Sequence, residues 1–351
     1  MKKGLRMKAL RYLGPGQVEI EEIPCPAIGP GEVLVEVRAC GVCATDVKTF
    51  VRGHPKIRPG AVLGHEIAGV IVAADGLPEW QEGTRVVVAP YVPCGACPQC
   101  ARRRFSLCER LFEVQIDPGG FSQFLRVPAR IVSGGLIQLA EPTPFEEGCL
   151  AEPLACCLHA LESLDIRAGE SLLIVGDGPM GLLQAQVGKS MGAAPILLSG
   201  MTPERLAQAS RWADVVIDAK QDDVAEAVRR ETGDGADKVI VSVGEASVAQ
   251  AALALVRKGG AINLFAGMPR EAQLVLDGNR VHYDEIRVLG SFGFGPQHFR
   301  RAVEWIGEGQ IDVRSLVTAT VPLEGVKSAL EAAARHQGIK TVVVFGEGGP
   351  M

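Results

Sequence analysis

Four closely spaced cysteines are the first residues of this chain whose types and spacing indicate a metal site. Cys94, Cys97, Cys100 and Cys108 follow a Cys-x2-Cys-x2-Cys-x7-Cys pattern. Four thiolates hold zinc tetrahedrally and leave no position for water, so this set predicts a structural site that does no chemistry. Two disulfides and an iron–sulfur cluster are the alternatives. Disulfides suit small secreted domains, whereas this chain has 351 residues and opens without an apolar signal segment. Short Cys-x2-Cys runs serve both zinc and iron–sulfur clusters, but in a cytosolic protein they favour zinc.

A second set of candidate ligands lies on either side of the four cysteines. Cys43 and the triplet Gly64-His65-Glu66 precede them, and Glu152 follows them. Taken singly, His65 is explained as a loop histidine and each glutamate as a solvated charge. Because they accompany a zinc-type cysteine pattern in one chain, we interpret them together as parts of a zinc enzyme.

A glycine-rich turn predicts a dinucleotide site, in the run Gly176-Asp177-Gly178-Pro179-Met180-Gly181. Gly176 allows the tight turn after a strand, Gly178 lets the backbone approach a pyrophosphate, and Gly181 lets the following helix pack closely. The N-terminus of that helix offers N–H donors and positive potential to the phosphates. A strand before the turn and a helix after it give the motif the context that it needs.

The choice between NAD and NADP is expected at the end of the next strand, about 20 residues further on, where an acid binds the ribose and excludes a 2′-phosphate. The chain has Ser199-Gly200-Met201-Thr202 there, so we expect no carboxylate in this corner. Ser199, Thr202 and Arg205 are candidate phosphate partners, although Arg205 is equally explained as a surface residue of its helix. We therefore expect NADP(H) to be accepted at least as well as NAD(H).

The elements that position these residues change character along the chain. Up to about residue 150, short β-rich runs at 32–38, 67–72 and 84–89 alternate with Pro and Gly turns and indicate a β-barrel-like domain. From about residue 155, strands alternate with helices and predict a doubly wound parallel sheet. Its strands are expected at 171–175, 195–199, 215–217, 238–243, 261–265 and 287–289, and its first helices at 181–191 and 202–212.

The predicted domains are a first domain at 1–154 with a metal lobe at about 90–112, a dinucleotide-binding domain at 155–291, and a segment at 292–351 that returns to the first domain. Helices at 297–307 and 323–335 and extended runs at 316–321 and 341–345 make this last segment too varied for further βα units.

Composition excludes several classes of partner. A net charge of −5 and only a short Arg102–Arg103–Arg104 run give no basic surface for nucleic acid. No apolar stretch approaches the roughly 18 residues of a membrane span. The chain opens Met-Lys-Lys-Gly without an apolar signal segment, so we expect a reducing cytoplasm and a small-molecule substrate.

The motifs resemble those of one enzyme family when they are taken in order. Cys43-Ala44-Thr45-Asp46, Gly64-His65-Glu66, the four cysteines, Glu152-Pro153 and the glycine turn resemble the zinc-dependent medium-chain alcohol dehydrogenases, closest to the sorbitol (polyol) and threonine dehydrogenase branch. The resemblance covers essentially the whole chain. It implies a GroES-like catalytic domain around an inserted Rossmann domain, an active site in the cleft between them, and a homo-oligomer, either tetramer or dimer.

The resemblance also implies a catalytic zinc in addition to the structural one. Cys43 and His65 would be two ligands, and Glu66 and Glu152 are the candidates for the third, with Glu66 preferred. This chain thus departs from the Cys2His set of alcohol dehydrogenase itself. Thr45 resembles the hydroxyl that bonds the substrate oxygen and starts a proton relay. The predicted reaction is reversible hydride transfer between a polyol or other secondary alcohol and NAD or NADP.

Some members of the predicted site stay open. The second member of the relay is His54, Lys48 or the cofactor ribose. Further nicotinamide contacts are expected at the carboxyl ends of later strands, and a lysine near the cofactor is implied by the resemblance. These residues are Phe265, Gly267, Ser291, Phe292 and Lys340, and packing explains Phe265 and Phe292 equally well.

Two other functions are compatible with these motifs. One is a zinc-containing carbonyl reductase or lyase-like relative of the same fold with other chemistry. The other is a dinucleotide-binding protein without catalysis, for which a metal at the four cysteines alone would be the supporting observation.

Overall fold

The structure, a computed structural model, describes residues 5–346 and divides into two compact units. The first unit contains the chain up to Ala155 and again from Phe294 onward, and the second spans Cys156–Gly293. The second unit has a hydrophobic core, the central strands of the first unit are likewise buried, and smaller clusters lie around the cysteine lobe and beneath the N-terminal hairpin.

The first unit consists largely of antiparallel strands. Its strands are β1 (Arg6–Gly14), β2 (Gln17–Pro24), β3 (Val33–Gly41), β4 (Glu66–Ala74), β5 (Arg85–Val88), β6 (Phe124–Val127), β7 (Leu136–Gln138), β14 (Val317–Val321) and β15 (Lys340–Val344). β1 and β2 form a hairpin, and the others form a sheet in the order β14-β15-β3-β4-β5-β7 with β6 also paired to β3. β14 and β15, from the C-terminal segment, complete the sheet that the N-terminal strands begin.

The pairing of β3 with β4 brings two candidate ligands together. Both strands are rich in β-branched residues; β3 is largely buried, and β4 is buried in its first half and half-buried towards its end. Their register places Gly41, the last residue of β3, opposite Glu66, the first residue of β4. Cys43 follows two residues after Gly41, so the antiparallel pair places the cysteine, His65 and Glu66 at one end of the sheet.

The helices of the first unit are short. They are α1 (Ala44–Arg52), α2 (Pro98–Ala101), α3 (Ala129–Gly135), α4 (Phe145–Gly148), α11 (Pro296–Gly307) and α12 (Val326–Ala334). Cys43 is the N-cap of α1, and the Asp46 side chain accepts a hydrogen bond from the Cys43 backbone to complete a capping box. α12 packs against α1. The C-terminal segment therefore supports the helix that begins at the candidate ligand.

The second unit is a six-stranded parallel sheet with helical connections. Its elements are β8 (Leu172–Val175), α6 (Pro179–Ser190), β9 (Ile196–Gly200), α7 (Pro203–Ala209), β10 (Val215–Asp218), α8 (Val224–Thr232), β11 (Ala236–Val241), α9 (Ala246–Leu253), β12 (Val256–Leu264), α10 (Gly278–Tyr283) and β13 (Arg287–Gly290). The strand order is β10-β9-β8-β11-β12-β13. Numbered within the unit this is 3-2-1-4-5-6, the order of dinucleotide-binding doubly wound sheets.

Among the elements that differ from the sequence-based expectation are an additional helix, β12 and α7. An unexpected helix, α5 (Ala151–Ser163), carries Glu152 in its first turn, where the following proline is tolerated. β12 begins at Val256 rather than 261, because the Gly259-Gly260 pair that resembles a turn stays in the strand, with Gly259 at a φ of 73°. α7 ends at Ala209 rather than 212.

Within residues 5–346, no helix is both long enough and apolar enough to cross a membrane.

Candidate metal and dinucleotide sites

The four cysteines of the lobe converge on one point. Their sulfur atoms all lie within 4.8 Å of one another. Cys97 Sγ lies 3.6 Å from Cys100 Sγ and 3.9 Å from Cys108 Sγ. The backbone N–H groups of Cys94 and Arg110 donate to Cys108 Sγ at 3.2 and 3.4 Å. Sulfur atoms that receive N–H donors in this way are prepared to carry negative charge.

These sulfur separations fit a single tetrahedral ion. With Zn–S bonds of about 2.3 Å, the sulfurs of a tetrahedron lie about 3.8 Å apart. A disulfide requires about 2.05 Å, and all ten cysteines, which lie within the described residues, are free thiols. The ligands of a multi-iron cluster bind different irons and stand further apart than ligands of one ion. The lobe therefore fits zinc better than either alternative.

The second group of ligand atoms lies at the end of β3 and β4. One ligand atom from each of Cys43, His65 and Glu66 lies within 4.8 Å of the others. Cys43 and His65 are half-buried, whereas Glu66 is almost fully buried. A thiolate, an imidazole and a carboxylate at this separation form a three-ligand set of the kind that keeps one coordination position for substrate.

Asp46 orients the histidine of this group. Its carboxylate accepts hydrogen bonds from the backbone N–H groups of Cys43, at 3.0 Å, and Gly64, at 3.2 Å. Its Oδ1 lies 3.6 Å from His65 Nδ1, which leaves Nε2 as the nitrogen that can face a metal. Burial lowers the pKa of His65, but the negative charges of Cys43 and Asp46 raise it more, so the net shift is well upward. The same negative field suits a bound cation.

Lys340 contacts the carboxylate of Glu66 in this group. Its Nζ donates to Glu66 Oε1 at 2.7 Å and to the backbone oxygen of Val42 at 3.0 Å, and it also lies 2.5 Å from Glu66 Oε2. Gly41 makes room for the pair, because a Cβ there would lie 1.9 Å from Glu66 Oε2. The buried ammonium group of Lys340 is thus an ion-pair partner of Glu66, and its place near the cofactor stays a prediction.

Glu152 stands beside the group but is not one of its three ligand residues. It is buried in the first turn of α5. The pKa of Glu152 is raised to about 7. Burial is the largest cause, the charges of Glu66 and Asp46 also raise this pKa, and those of His65 and Lys340 lower it. Of the two glutamates that the sequence offered, Glu66 is the one that the structure groups with Cys43 and His65.

Thr45 occupies the second position of α1, and its N–H donates to Cys43 Sγ at 3.5 Å. The half-buried Thr45 side chain thus belongs to the same helix start as the candidate thiolate. Of the open relay candidates, Lys48 is exposed on α1, and His54 uses Nδ1 to accept the Lys56 N–H at 3.2 Å. Burial, followed by the charge of Lys56, lowers the pKa of His54.

The glycine turn has the geometry that a pyrophosphate requires. Gly176 has a φ of 125°, and a Cβ on Gly181 would lie 1.9 Å from the Gly176 oxygen. A Cβ on Gly178, the N-cap of α6, would meet nothing within 4 Å, so this backbone is open to a ligand. Pro179 and Met180 form the first turn of α6. The residues thus fit a dinucleotide at the carboxyl end of β8.

The structure contradicts the expectation that the ribose corner lacks a carboxylate. Asp177 Oδ2 accepts hydrogen bonds from the N–H groups of Met201, at 2.8 Å, and Thr202, at 2.7 Å. A Cβ on Gly200 would lie only 2.3 Å from the Asp177 Cβ. The acid was missed because it comes from the turn after β8 and not from the end of β9.

The predicted phosphate partners surround this acid. Ser199 is buried in β9, and its backbone oxygen accepts the Gly176 N–H. Thr202 is the N-cap of α7, and Arg205 is buried on that helix. Burial lowers the pKa of Arg205, while the nearby charges of Asp177 and Glu204 raise it. Arg205 is thus buried beside two acidic residues, and both its role as a phosphate partner and the alternative, an ion pair on its own helix, stay open.

The remaining predicted nicotinamide contacts lie at the expected sheet edge. Half-buried Phe265 and exposed Gly267 follow β12. After β13, the Ser291 hydroxyl donates to Asn263 Oδ1 at 3.2 Å, and Phe292 is 55% exposed. An exposed phenylalanine is not explained by core packing, so Phe292 keeps its proposed role.

Asp46 and Asp177 are functional candidates that the motif search did not single out. For Asp46 a signal was present, because an acid three residues after an N-cap completes a capping box. Asp177 carried no local signal, since its partners lie 24 and 25 residues away.

Two family models match the chain. Residues 29–134 match the alcohol dehydrogenase GroES-like domain, and residues 179–308 match the zinc-binding dehydrogenase domain. The chain is 30% identical to a sorbitol dehydrogenase of Bacillus subtilis (strain 168) over 339 residues, which cover 94% of each protein. These matches confirm both the expected architecture and the family resemblance.

Solved structures show the same fold with either nicotinamide. A zinc-binding dehydrogenase of Sinorhizobium meliloti 1021, bound to NADP, matches with a TM-score of 0.89 and 29% identity over 97% of this chain and 100% of that one. An alcohol dehydrogenase of Escherichia coli CFT073, in complex with NADH, matches with a TM-score of 0.87 and 27% identity over 97% and 100%. The fold alone therefore does not select the cofactor.

Proposed function

The chain belongs to the zinc-dependent medium-chain alcohol dehydrogenase family, and from this premise we propose that it oxidises a polyol or another secondary alcohol to the ketone, reversibly, with a nicotinamide dinucleotide. The observation that carries the proposal is the convergence of Cys43, His65 and Glu66 within 4.8 Å. A carboxylate in place of a second thiolate makes the ligand set harder, which suits oxygen-rich substrates.

Two groups that the protein must bind supply the central chemistry. Zinc held by Cys43, His65 and Glu66 supplies Lewis-acid polarisation of an alcohol oxygen, and a nicotinamide held at the glycine turn supplies a hydride acceptor. The chain's own contribution is to bind and orient these groups and to move the alcohol proton.

Three residues of the first unit assist the reaction: two hold the metal ligands in place and the third moves the proton of the alcohol. The Asp46 carboxylate, held by the N–H groups of Cys43 and Gly64, lies 3.6 Å from His65 Nδ1 and favours the ring orientation in which Nε2 faces the metal. Lys340 holds Glu66 and offsets its negative charge. The Thr45 hydroxyl, beside the thiolate at the start of α1, is proposed to accept the hydroxyl proton of the substrate and pass it on.

A dinucleotide-binding protein without catalysis is less well supported by these residues. That function requires a metal at most at the four cysteines, whereas the structure assembles a second ligand group with an orienting carboxylate. A carboxylate that orients a ligand histidine supports a catalytic metal. A protein that only binds a dinucleotide has no need of one.

We also propose that the protein forms a homo-oligomer through the edge of its parallel sheet. β13 is the last strand of that sheet. The segment that precedes β13 in the sequence carries exposed apolar residues. These are Val275, with 77% of its surface exposed, Leu276, Val281, and Tyr283, with 75% exposed. An exposed edge strand with apolar neighbours suits pairing with the same edge of a second copy about a two-fold axis.

The cytoplasm is the proposed location. Thiolate ligands require a reducing compartment, and the ten cysteines of the chain, all within the described residues, are free.

The direct test is turnover by purified, zinc-loaded protein with a panel of polyols, simple secondary alcohols and threonine, each with NAD and NADP. Growth of reduced-nicotinamide absorbance with at least one polyol or secondary alcohol is expected, and removal of zinc by a chelator should abolish it. Absence of turnover across the panel, or turnover that survives complete zinc removal, would refute the proposal.

A further inference from the structure

The carboxylate of Asp177 lies where a ribose-binding acid would stand in a sheet of this order. Such an acid comes from the end of the second strand of the unit, which is β9 in this chain. β9 ends instead at Gly200. A side chain built on Gly200 would begin 2.3 Å from the Asp177 Cβ and 2.5 Å from its Oδ2. Asp177 therefore fills the volume that an acid at position 200 would occupy.

The position of this carboxylate is fixed by the backbone. Both the Met201 and the Thr202 N–H groups donate to Oδ2, so the side chain spans from the glycine turn to the residues that follow β9. These two N–H donors fix the position of the carboxylate and carry no net charge, and the charge of Arg205 lies nearby. A carboxylate also has lone pairs for more than two bonds, so it can accept a ribose hydroxyl in addition.

Gly200 is required by this arrangement. Asp177 approaches through its Cβ, which cannot swing away as a flexible side-chain end could. Any side chain at position 200 would displace Asp177. The absence of an acid on β9, which from sequence suggested a site open to a 2′-phosphate, is thus the consequence of an acid supplied from elsewhere.

We propose that Asp177 recognises the adenosine ribose of the cofactor and makes NAD(H) the preferred nicotinamide. A ribose hydroxyl donates to the carboxylate, whereas a 2′-phosphate brings a second anion against it. Arg205, the nearest candidate for binding that phosphate, is buried in the field of Asp177 and Glu204. The expectation of NADP(H) acceptance is therefore reversed, since its premise was a corner without an acid.

The test is direct binding of NADH and NADPH to the zinc-loaded protein by isothermal titration calorimetry. For the wild type, Kd for NADH should be lower than Kd for NADPH by about tenfold or more, as expected for losing one charge-assisted bond. Asp177→Asn keeps the size of the side chain and an oxygen for both N–H donors. It should narrow the ratio by about tenfold, chiefly by strengthening NADPH binding.

Glu204→Gln is the matched control, because it removes one negative charge from an exposed side chain of α7 beside the same arginine. It should change the Kd ratio much less than Asp177→Asn. The proposal is overturned if the wild type binds NADPH as tightly as NADH, if Asp177→Asn leaves the ratio unchanged, or if the control moves it equally. If Asp177→Asn does not fold, Asp177→Ser tests the same loss of charge with a smaller polar side chain, and an unchanged ratio in that variant also overturns the proposal.

This inference rests on the proposed function, since it assumes that the glycine turn binds a nicotinamide dinucleotide. The two fail differently. Alcohol turnover with a preference for NADP(H) would remove the role of Asp177 and leave the enzyme assignment intact. Selective NADH binding without turnover on any alcohol would leave the role of Asp177 intact and remove the enzyme assignment.

Discussion

Glu66 and Glu152 are both buried near Cys43 and His65, yet their surroundings make them unequal. Glu66 forms a buried ion pair with Lys340. Removing one partner of a buried pair costs about 3–5 kcal/mol, because the other charge is left without compensation. A loss of activity in Glu66→Gln would therefore mix a change at the metal with a weakened fold, whereas Glu152 offers a cleaner test.

Glu152→Gln is expected to lower kcat about 10- to 100-fold, the usual effect of removing a carboxylate that supports a metal site. The Kd for NADH should not change, because the glycine turn belongs to the other unit. Stopped-flow turnover and calorimetric titration measure the two quantities. Glu162→Gln, at an exposed position of the same helix, serves as the control. Equal kcat for wild type and Glu152→Gln would exclude Glu152 from the chemistry.

The sequence predicted most ligand residues at this scale but not the groups that orient them. The Cys-x2-Cys-x2-Cys-x7-Cys spacing is local, so it is legible without coordinates. Lys340 contacts Glu66 across 274 residues, and Asp177 contacts residues of a different strand. Contacts of that kind depend on strand register and on where the C-terminal segment adds to the sheet, which no local pattern encodes.

At the scale of elements, two glycines of the turn between β8 and α6 have different tasks: Gly181 is needed for packing, and Gly178 leaves room for a ligand. The Cβ of an alanine at Gly181 would lie 1.9 Å from the Gly176 backbone oxygen. An alanine at Gly178 would meet no atom within 4 Å, and the φ of Gly178, −71°, suits any residue. The same substitution at two positions of one turn thus has different expected consequences.

Gly181→Ala should lower the midpoint of thermal unfolding by several degrees, because either the turn or the helix must shift, at a cost of roughly 1–3 kcal/mol. Gly178→Ala should leave the midpoint unchanged and weaken NADH binding about tenfold or more, because its methyl group occupies the approach to the pyrophosphate. Calorimetry provides both values. Unchanged NADH affinity in Gly178→Ala would show that this turn does not bind the cofactor.

The start of β11 is tied to its neighbours by one carboxylate. Asp237 Oδ2 accepts from the Ser171 hydroxyl at 2.6 Å and from its N–H at 2.9 Å, and Oδ1 accepts from Arg257 Nε at 2.6 Å. Burial raises the pKa of Asp237, but the bonds from Ser171 and Arg257 lower it more, so its net pKa lies below the usual value. The ionised form is the one that the folded unit stabilises.

The sign of the pH effect follows from this direction. A carboxyl group with a depressed folded pKa adds stability above its unfolded pKa, about 3.9, and loses it as pH falls through the lower folded value. Asp237→Asn should therefore reduce stability at pH 7 by about 1 kcal/mol, discounted for partial exposure, and the difference should shrink below about pH 4. Thermal unfolding at several pH values measures this. Asp234→Asn, at an exposed neighbour, is the control, and a difference independent of pH would contradict the assignment.

The elements themselves were largely predictable where their periodicity is strong. Short apolar runs that alternate with helical segments marked the strands of the second unit, since parallel strands buried on both faces are nearly continuous in hydrophobicity. α5 was not predicted because Pro153 reads as a helix breaker, although a first-turn proline loses no hydrogen bond. β12 begins five residues earlier than expected, and Gly259, with a φ of 73°, lies inside it where the register with β11 shifts.

At the scale of the whole molecule, the edge strand β13 is the proposed contact between two copies of the chain. Tyr283→Lys places a charge among the exposed apolar residues of the adjoining α10, where a second copy would bury it. We expect the wild type to have two or four times the chain mass by light scattering and the variant to shift towards monomer. Leu107→Lys, at an exposed apolar residue of the cysteine lobe, should not shift it. A monomeric wild type would contradict the proposed interface.

The central claim is that this chain carries two zinc sites with separate tasks, and the zinc content of Cys43→Ser, measured together with its turnover, tests it most directly. The two ligand groups predict two zinc ions per wild-type chain. Cys43→Ser should remain folded, retain the zinc of the four cysteines and lose alcohol turnover, whereas Cys97→Ser should destabilise the fold because a structural zinc contributes folding free energy. If Cys43→Ser keeps wild-type turnover, or if the wild type turns over fully with zinc at the four cysteines alone, the account is wrong.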